Sequence, residues 1–332
     1  MFRFVAAALA VPALAMGHTA MAADDAEPIG SIQEWEVPWP NTRPRDPWMG
    51  PDGRVWFVGQ TGHYVATLDP ETGEFERFDL ESGAGPHTVI TNESGAWYAG
   101  NRADHIGRID PETGEIERFE LPGEGRRDPH TMDFTEDGNI WFTVQHGNQI
   151  GYLDVTSGDI TLHEVPTDGS RPYGLMLDGN EQPWVTLFGT HKLATVAGVG
   201  EAVEEIELPR DDARPRRPTV TDDGRVWYVD FADGYLGAYD PASGEIEEWI
   251  TPGGAAGAPY AITTDGEGRV WFSETAHSPN RLIAFDPSTE TFLPALELAD
   301  GGGIVRHITY HGPSNTIWFG ADTGTIGRIQ LD

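Results

Sequence analysis

Cysteine is absent from this 332-residue chain, and lysine occurs once, at Lys192. No disulfide can form, so stability must come from packing alone. The local signatures of P-loop, GxSxG, HExxH and CxxC sites are also missing, which removes the commonest nucleotide, serine-hydrolase and zinc readings. No stretch reaches the 18 or so consecutive apolar residues of a transmembrane helix. Basic charge is scarce as well: 21 Lys+Arg stand against 54 Asp+Glu, for a formal charge of −33. Such a surface repels phosphate backbones and anionic lipid heads, so nucleic acid and membrane surfaces are poor partners. Twenty of the cations are arginine, and an arginine-only, carboxylate-rich composition fits adaptation to high salt, where screening tolerates the excess acid. With 38% hydrophobic residues the chain can bury a core, which excludes disorder.

Residues 1–23 combine a basic start at Arg3, an apolar run from Val5 to Met16 and a small-residue site at Ala20-Met21-Ala22. This pattern predicts a secretory signal peptide removed near Ala22, and hence a periplasmic or secreted protein. Residues 24–332 remain as one domain, expected to be a monomer.

That domain repeats. Tryptophans stand at 56, 97, 141, 184, 227, 271 and 318, with spacings of 41, 44, 43, 43, 44 and 47 residues. A period near 44 is the length of one four-stranded propeller blade. Turns such as Pro51-Asp52-Gly53 and Asp222-Asp223-Gly224 precede the tryptophans, and Asp110-Pro111-Glu112-Thr113-Gly114 and its copies close the next hairpin. The Asp-Pro-x-x-Gly runs lack EF-hand spacing and read as hairpin turns; the tryptophans read as core between blades. The fold is therefore expected to be all-β, a seven-bladed β-propeller of four-stranded blades. The seventh repeat ends one strand short, and Ile32–Pro38 supplies the missing outer strand, closing the ring and removing an open edge.

Ligands of a propeller bind where the inner strands begin, around the central channel. Counting back ten or eleven residues from each tryptophan gives Arg45, His87, His130, Tyr173, Arg216, Tyr260 and His307. Flanking loops add Arg43, Arg126, Arg127, Arg171, Arg214, Arg217 and Arg306, placing nine of twenty arginines at one mouth. Either they pair with nearby carboxylates such as Asp46, Asp128 and Asp211, or they form an electropositive funnel for a small anionic or carboxylate-bearing ligand. His87 and His130 occupy equivalent places in adjacent blades, and Asp128 could orient an imidazole or share a divalent cation with it. After the second strands the equivalent positions are Gly59, Gly100, Val144, Leu187, Asp230, Glu274 and Ala321. Glu274, beside Tyr260, is the acidic candidate on that side.

The repeat Pro-His-x, Asp-Gly-x-x-Trp-Phe, Ile-Gly-Arg-Ile-Asp-Pro-x-Thr-Gly, Glu-x-Phe-x-Leu-Pro, clearest at 106–122, 129–154 and 315–330, resembles the virginiamycin B lyase (streptogramin B lyase) family. The resemblance implies a seven-bladed propeller and a magnesium-dependent β-elimination that opens a cyclic depsipeptide at its ester bond, with a histidine base and no nucleotide, flavin or haem. Of the catalytic positions it implies, Tyr260 replaces a histidine, Val305 and Ala321 replace glutamates, and His307 alone matches. A rotated copy of the pattern, His87 with Asp128 and His130, lies in the second and third blades, with Val144 at its fourth position. Three functions stay open. The first is a lyase-like enzyme using His130 or His307 as base and Arg216 or Arg45 to hold a carboxylate. The others are a non-catalytic ligand-binding or protein-interaction propeller and a metal-dependent lactonase or other hydrolase.

Overall fold

The computed structural model describes residues 28–332; the predicted signal peptide lies outside the described residues. Seven antiparallel sheets follow one another in chain order, each beginning with the strand nearest the channel. Blade 1 runs Pro44–Met49, Val55–Gly59, Tyr64–Leu68, Phe75–Asp79. Blade 6 departs slightly, its outer edge being split between Thr291–Phe292 and Leu296–Glu297. In blade 7 the strands Val305–His311, Thr316–Ala321 and Thr325–Gln330 are completed by Ser31–Glu36, antiparallel to the last of them. The expected closure is therefore present, and Trp35 of the N-terminal strand stacks on Trp318 at 5.7 Å. Apart from two single 3₁₀ turns the described chain is strand and loop, and none of its helices is long and apolar enough to cross a membrane.

The blade period has a packing cause. Each second strand is short, β-branched and aromatic, and its tryptophan is buried toward the next blade. Trp56, for example, packs with Val89, Ala96, Tyr98 and Ile109 of blade 2, and Trp318 packs with Val55, Phe57 and Ala66 of blade 1. Apolar clusters thus link neighbours around the ring, and no blade buries its faces alone. The Asp-Pro-x-x-Gly runs are turns. Asp69 and Asp110 each accept hydrogen bonds from the backbone N–H groups two and three residues on, which holds both carboxyls below the usual carboxylate range.

In six blades, all but the second, the inner strand carries a bulge close to its start, as between Pro129 and Met132 or Pro215 and Pro218. A bulge breaks the strict alternation of side chains, so two successive residues can serve the channel. This sets up the site.

Candidate functional site

The sheet register assigns the channel positions. Pro215 faces Asp230, Pro259 faces Glu274 and Val305 faces Ala321, so these three begin their blades at the same level. The ring one residue later reads Arg45, His87, His130, Tyr173, Arg216, Tyr260 and Arg306. His307 sits one layer deeper, level with Asp46, Thr88, Thr131 and Arg217. The fixed count from tryptophan misplaces it because the hairpin of blade 7 is one residue longer, with Asn315 in a left-handed turn. Accordingly His307 lines the cavity of 260 Å³ at the opposite end of the channel, together with Ile90, Met132, Leu175 and Ile308.

The deeper layer is a cross-channel network around Asp46. Arg45 Nε donates to its Oδ1 at 3.0 Å, and Arg217 Nη2, reaching from blade 5, donates to Oδ2 at 3.0 Å. The two guanidinium groups and His307 hold Asp46 far below the usual carboxylate range despite burial. Thr88 Oγ1 also donates to Oδ2, at 2.9 Å. Its single proton is thereby committed, so the 3.1 Å contact between His87 Nδ1 and Thr88 Oγ1 must be donated by the imidazole. His87 therefore carries its proton on Nδ1 and presents a bare Nε2. Its ring lies against His130, centroids 3.3 Å apart, and His130 lies 4.0 Å from Tyr173. Burial, and then the surrounding cations and rings, push His87 and His130 well below the ordinary imidazole value. Both are neutral at pH 7.

Across blades 4 to 6 the ring becomes aromatic. The Arg216 guanidinium lies 3.6 Å from the Phe188 centroid, 4.4 Å from Tyr260, 4.5 Å from Phe231 and 4.8 Å from Tyr173. Among the described residues it meets no carboxylate and makes no hydrogen bond. The Tyr173 and Tyr260 hydroxyls bond each other, and Arg306 reaches Tyr260 at 3.4 Å. Burial raises both phenols, but at Tyr260 the fields of Arg216, Arg45 and Arg306 prevail and its pKa falls, while that of Tyr173 stays raised.

The other mouth arginines are occupied. Arg306 is paired with Asp322 at 2.8 Å, Arg43 approaches the same carboxylate at 3.9 Å, and Arg126 lies 3.4 Å from Asp128. Arg127 and Arg214 donate to backbone carbonyls. Arg171 is exposed beside Phe188, 5.5 Å from its centroid. Local pairing thus accounts for most of the cluster and leaves Arg216 and Arg171. Glu274 is fully buried, accepting from Gly253 N and Arg281, and it serves the blade 6 loop. Asp128 holds His146 Nδ1 and Asn101; His130 instead bonds Thr131. His146, exposed at the mouth, was not visible as a site residue in the sequence, because its partner is 18 positions away in another loop.

Residues 17–282 match the virginiamycin B lyase family. The chain belongs to that family. A streptogramin B lyase structure superposes with a TM-score of 0.82 at 25% identity, covering 92% of this chain and 98% of the other. A catalytically inactive virginiamycin B lyase variant from Staphylococcus aureus, solved with quinupristin, gives a TM-score of 0.82 at 24% identity over 91% and 99%. No curated protein sequence matches. The magnesium that the sequence resemblance implies would need acidic donors at the channel. Val305 and Ala321, where the resemblance implies acids, are buried and apolar. No group of three or more His, Asp or Glu among the described residues is placed to hold a metal ion. These residues do not fit the magnesium site.

Proposed function

We propose that this exported propeller is a C–O lyase for a small carboxylate-bearing ester or lactone, acting at the ring formed by blades 2 to 7. The observation that carries this reading is Arg216, a guanidinium without an acidic partner, enclosed by four aromatic rings that continue through Tyr173 and His130 to the bare nitrogen of His87. Arg216 binds the carboxylate and the rings flank the body of the ligand. His87 Nε2 takes a proton from the alcohol half of the ester, on the carbon that lies α to a second carbonyl and next to the carbon bearing the ester oxygen; the C–H pair becomes the Cα=Cβ bond, and the Cβ–O bond breaks with its electrons leaving on the acyl half as a carboxylate. The Tyr260 hydroxyl and Arg306 face the negative charge that develops on the carbonyl. No step is routed through a divalent ion.

Incubating the protein with a panel of cyclic esters in ¹⁸O water tests the reading, because elimination gives an unsaturated product without ¹⁸O. We expect His87→Ala to lower turnover by about 10²-fold or more, and Arg216→Ala to weaken substrate binding by about ten- to a hundredfold. EDTA should leave the rate unchanged. Label incorporation, or turnover surviving His87→Ala, would refute the mechanism. A second reading, a non-catalytic binding propeller, is favoured by the burial of His87 and His130 against each other; it predicts Arg216-dependent binding with no turnover of any ester.

A further inference from the structure

Positive charge exceeds acid at the core of the channel. Arg45 and Arg217 converge on the single carboxylate of Asp46, one on each oxygen. His87, His130 and His307 surround this group, and all three are neutral, burial and the same arginines depressing each of them. The nearby Arg306 has its own acid in Asp322. Glu274 is committed to Arg281, and Asp128 to His146, Arg126 and Asn101. The group Arg45–Asp46–Arg217 therefore carries one uncompensated positive charge, with all three residues at most 4% exposed. An arginine cannot shed its proton to escape this, and a buried charge without a counter-charge is strongly unfavourable.

The hydrogen bonds show where compensation is due. Arg45 spends Nε on Asp46 and Nη1 on Gln60 Oε1 at 3.1 Å, which leaves Nη2 buried without a protein acceptor. Arg217 spends Nη2 on Asp46 and Nη1 on Thr131 at 3.5 Å, which leaves Nε in the same condition. The His87–His130 contact and the Tyr173–Tyr260 hydroxyl pair lie above this level, and Thr88, Thr131 and His307 of the same layer line the 260 Å³ cavity on its other side, from which a small anion can reach the two unpartnered N–H groups.

We infer that the channel core is a binding site for one halide ion, held by Arg45 and Arg217 beside Asp46. The site is independent of the lyase reading, since Arg216 takes no part in it, and its ion is a structural counter-charge.

Crystals of the full chain grown without halide and soaked in sodium bromide provide the direct test. A bromine anomalous peak in contact with Arg45 Nη2, Arg217 Nε or both is the expected result. Water alone at these atoms, or bromide only at Arg216, would overturn the inference. In solution, the melting midpoint should climb with the logarithm of chloride concentration above the curve in sodium gluconate at equal ionic strength. Arg45→Gln leaves the balanced Asp46–Arg217 pair and should bring the two curves together, whereas Arg216→Ala should keep them apart. Coincident curves for the unmodified protein count against the site; if Arg45→Gln does not fold, the bromide map decides.

Discussion

At the scale of single residues, Asp46 matters more than its type suggests. It receives Arg45 and Arg217 and, through Thr88, fixes the tautomer of His87. Asp46→Asn keeps the shape but strands two buried guanidinium groups, and we expect a loss of about 3–5 kcal/mol in urea unfolding. Acid should act on the same cluster. His307 is depressed to about 3 by burial, then by Arg217, and His87 and His130 are pushed well below the ordinary 6.5. Because each folded value lies under the unfolded one, the unfolded chain binds the extra protons below pH 6.5. The stability from these three groups is complete above that value and is lost as pH falls toward 3. Asp133, raised to about 6 by burial, works in the opposite sense between 3.8 and 6, as do Glu34, Asp128 and Glu248, each raised chiefly by burial, while His105 and His311, lowered by burial, act with the three imidazoles. Unfolding free energies at pH 7 and pH 4.5 check this, with a smaller difference expected in His307→Asn.

At the scale of elements, the closing strand and the bulged inner strands do different work. Ser31–Glu36 pairs along its whole length with Thr325–Gln330 and covers the edge of blade 7, and Trp35 stacks on Trp318 with the Arg328 guanidinium against both rings. Trp35→Ala removes that cover. A cost of about 2 kcal/mol follows from a partly buried tryptophan, and amide exchange should quicken first in blade 7; uniform exchange across all blades would show that the closure does not limit opening. The inner-strand bulges instead decide chemistry. Arg216 and Arg217 are adjacent in sequence, yet one stands in the aromatic enclosure and the other crosses to Asp46.

For the whole molecule the relevant quantity is the −33 charge. Its carboxylates sit largely on hairpin turns and outer strands, as at Glu71, Glu74, Glu112, Glu115 and Glu245, all exposed. Self-repulsion among them should be relieved by any salt, so the melting midpoint is expected to rise with ionic strength even in gluconate and to flatten once the Debye length falls to about 3 Å near 1 M. A midpoint independent of ionic strength would remove high-salt adaptation from consideration. Because no disulfide braces the ring, this stability rests on blade-to-blade packing, and the whole propeller should unfold over one salt-sensitive transition.

Blade number, the role of the seven tryptophans, the hairpin turns and the N-terminal closure were all legible in the sequence, because each follows from a period and from short-range turn chemistry that every blade repeats. The composition of the channel ring was legible too, wherever a proline marks the start of the inner strand: Pro44, Pro86, Pro129, Pro172, Pro215 and Pro259. Blade 7 has Val305 there and a longer hairpin, so counting from Trp318 put His307 in the place of Arg306. What no spacing could reveal is which charges meet. Arg217 and Asp46 are 171 residues apart, and His146 finds Asp128 from a different loop. Those contacts depend on the width of the closed channel and on the length of the side chains that cross it, and these exist only once the seven blades have closed into a ring.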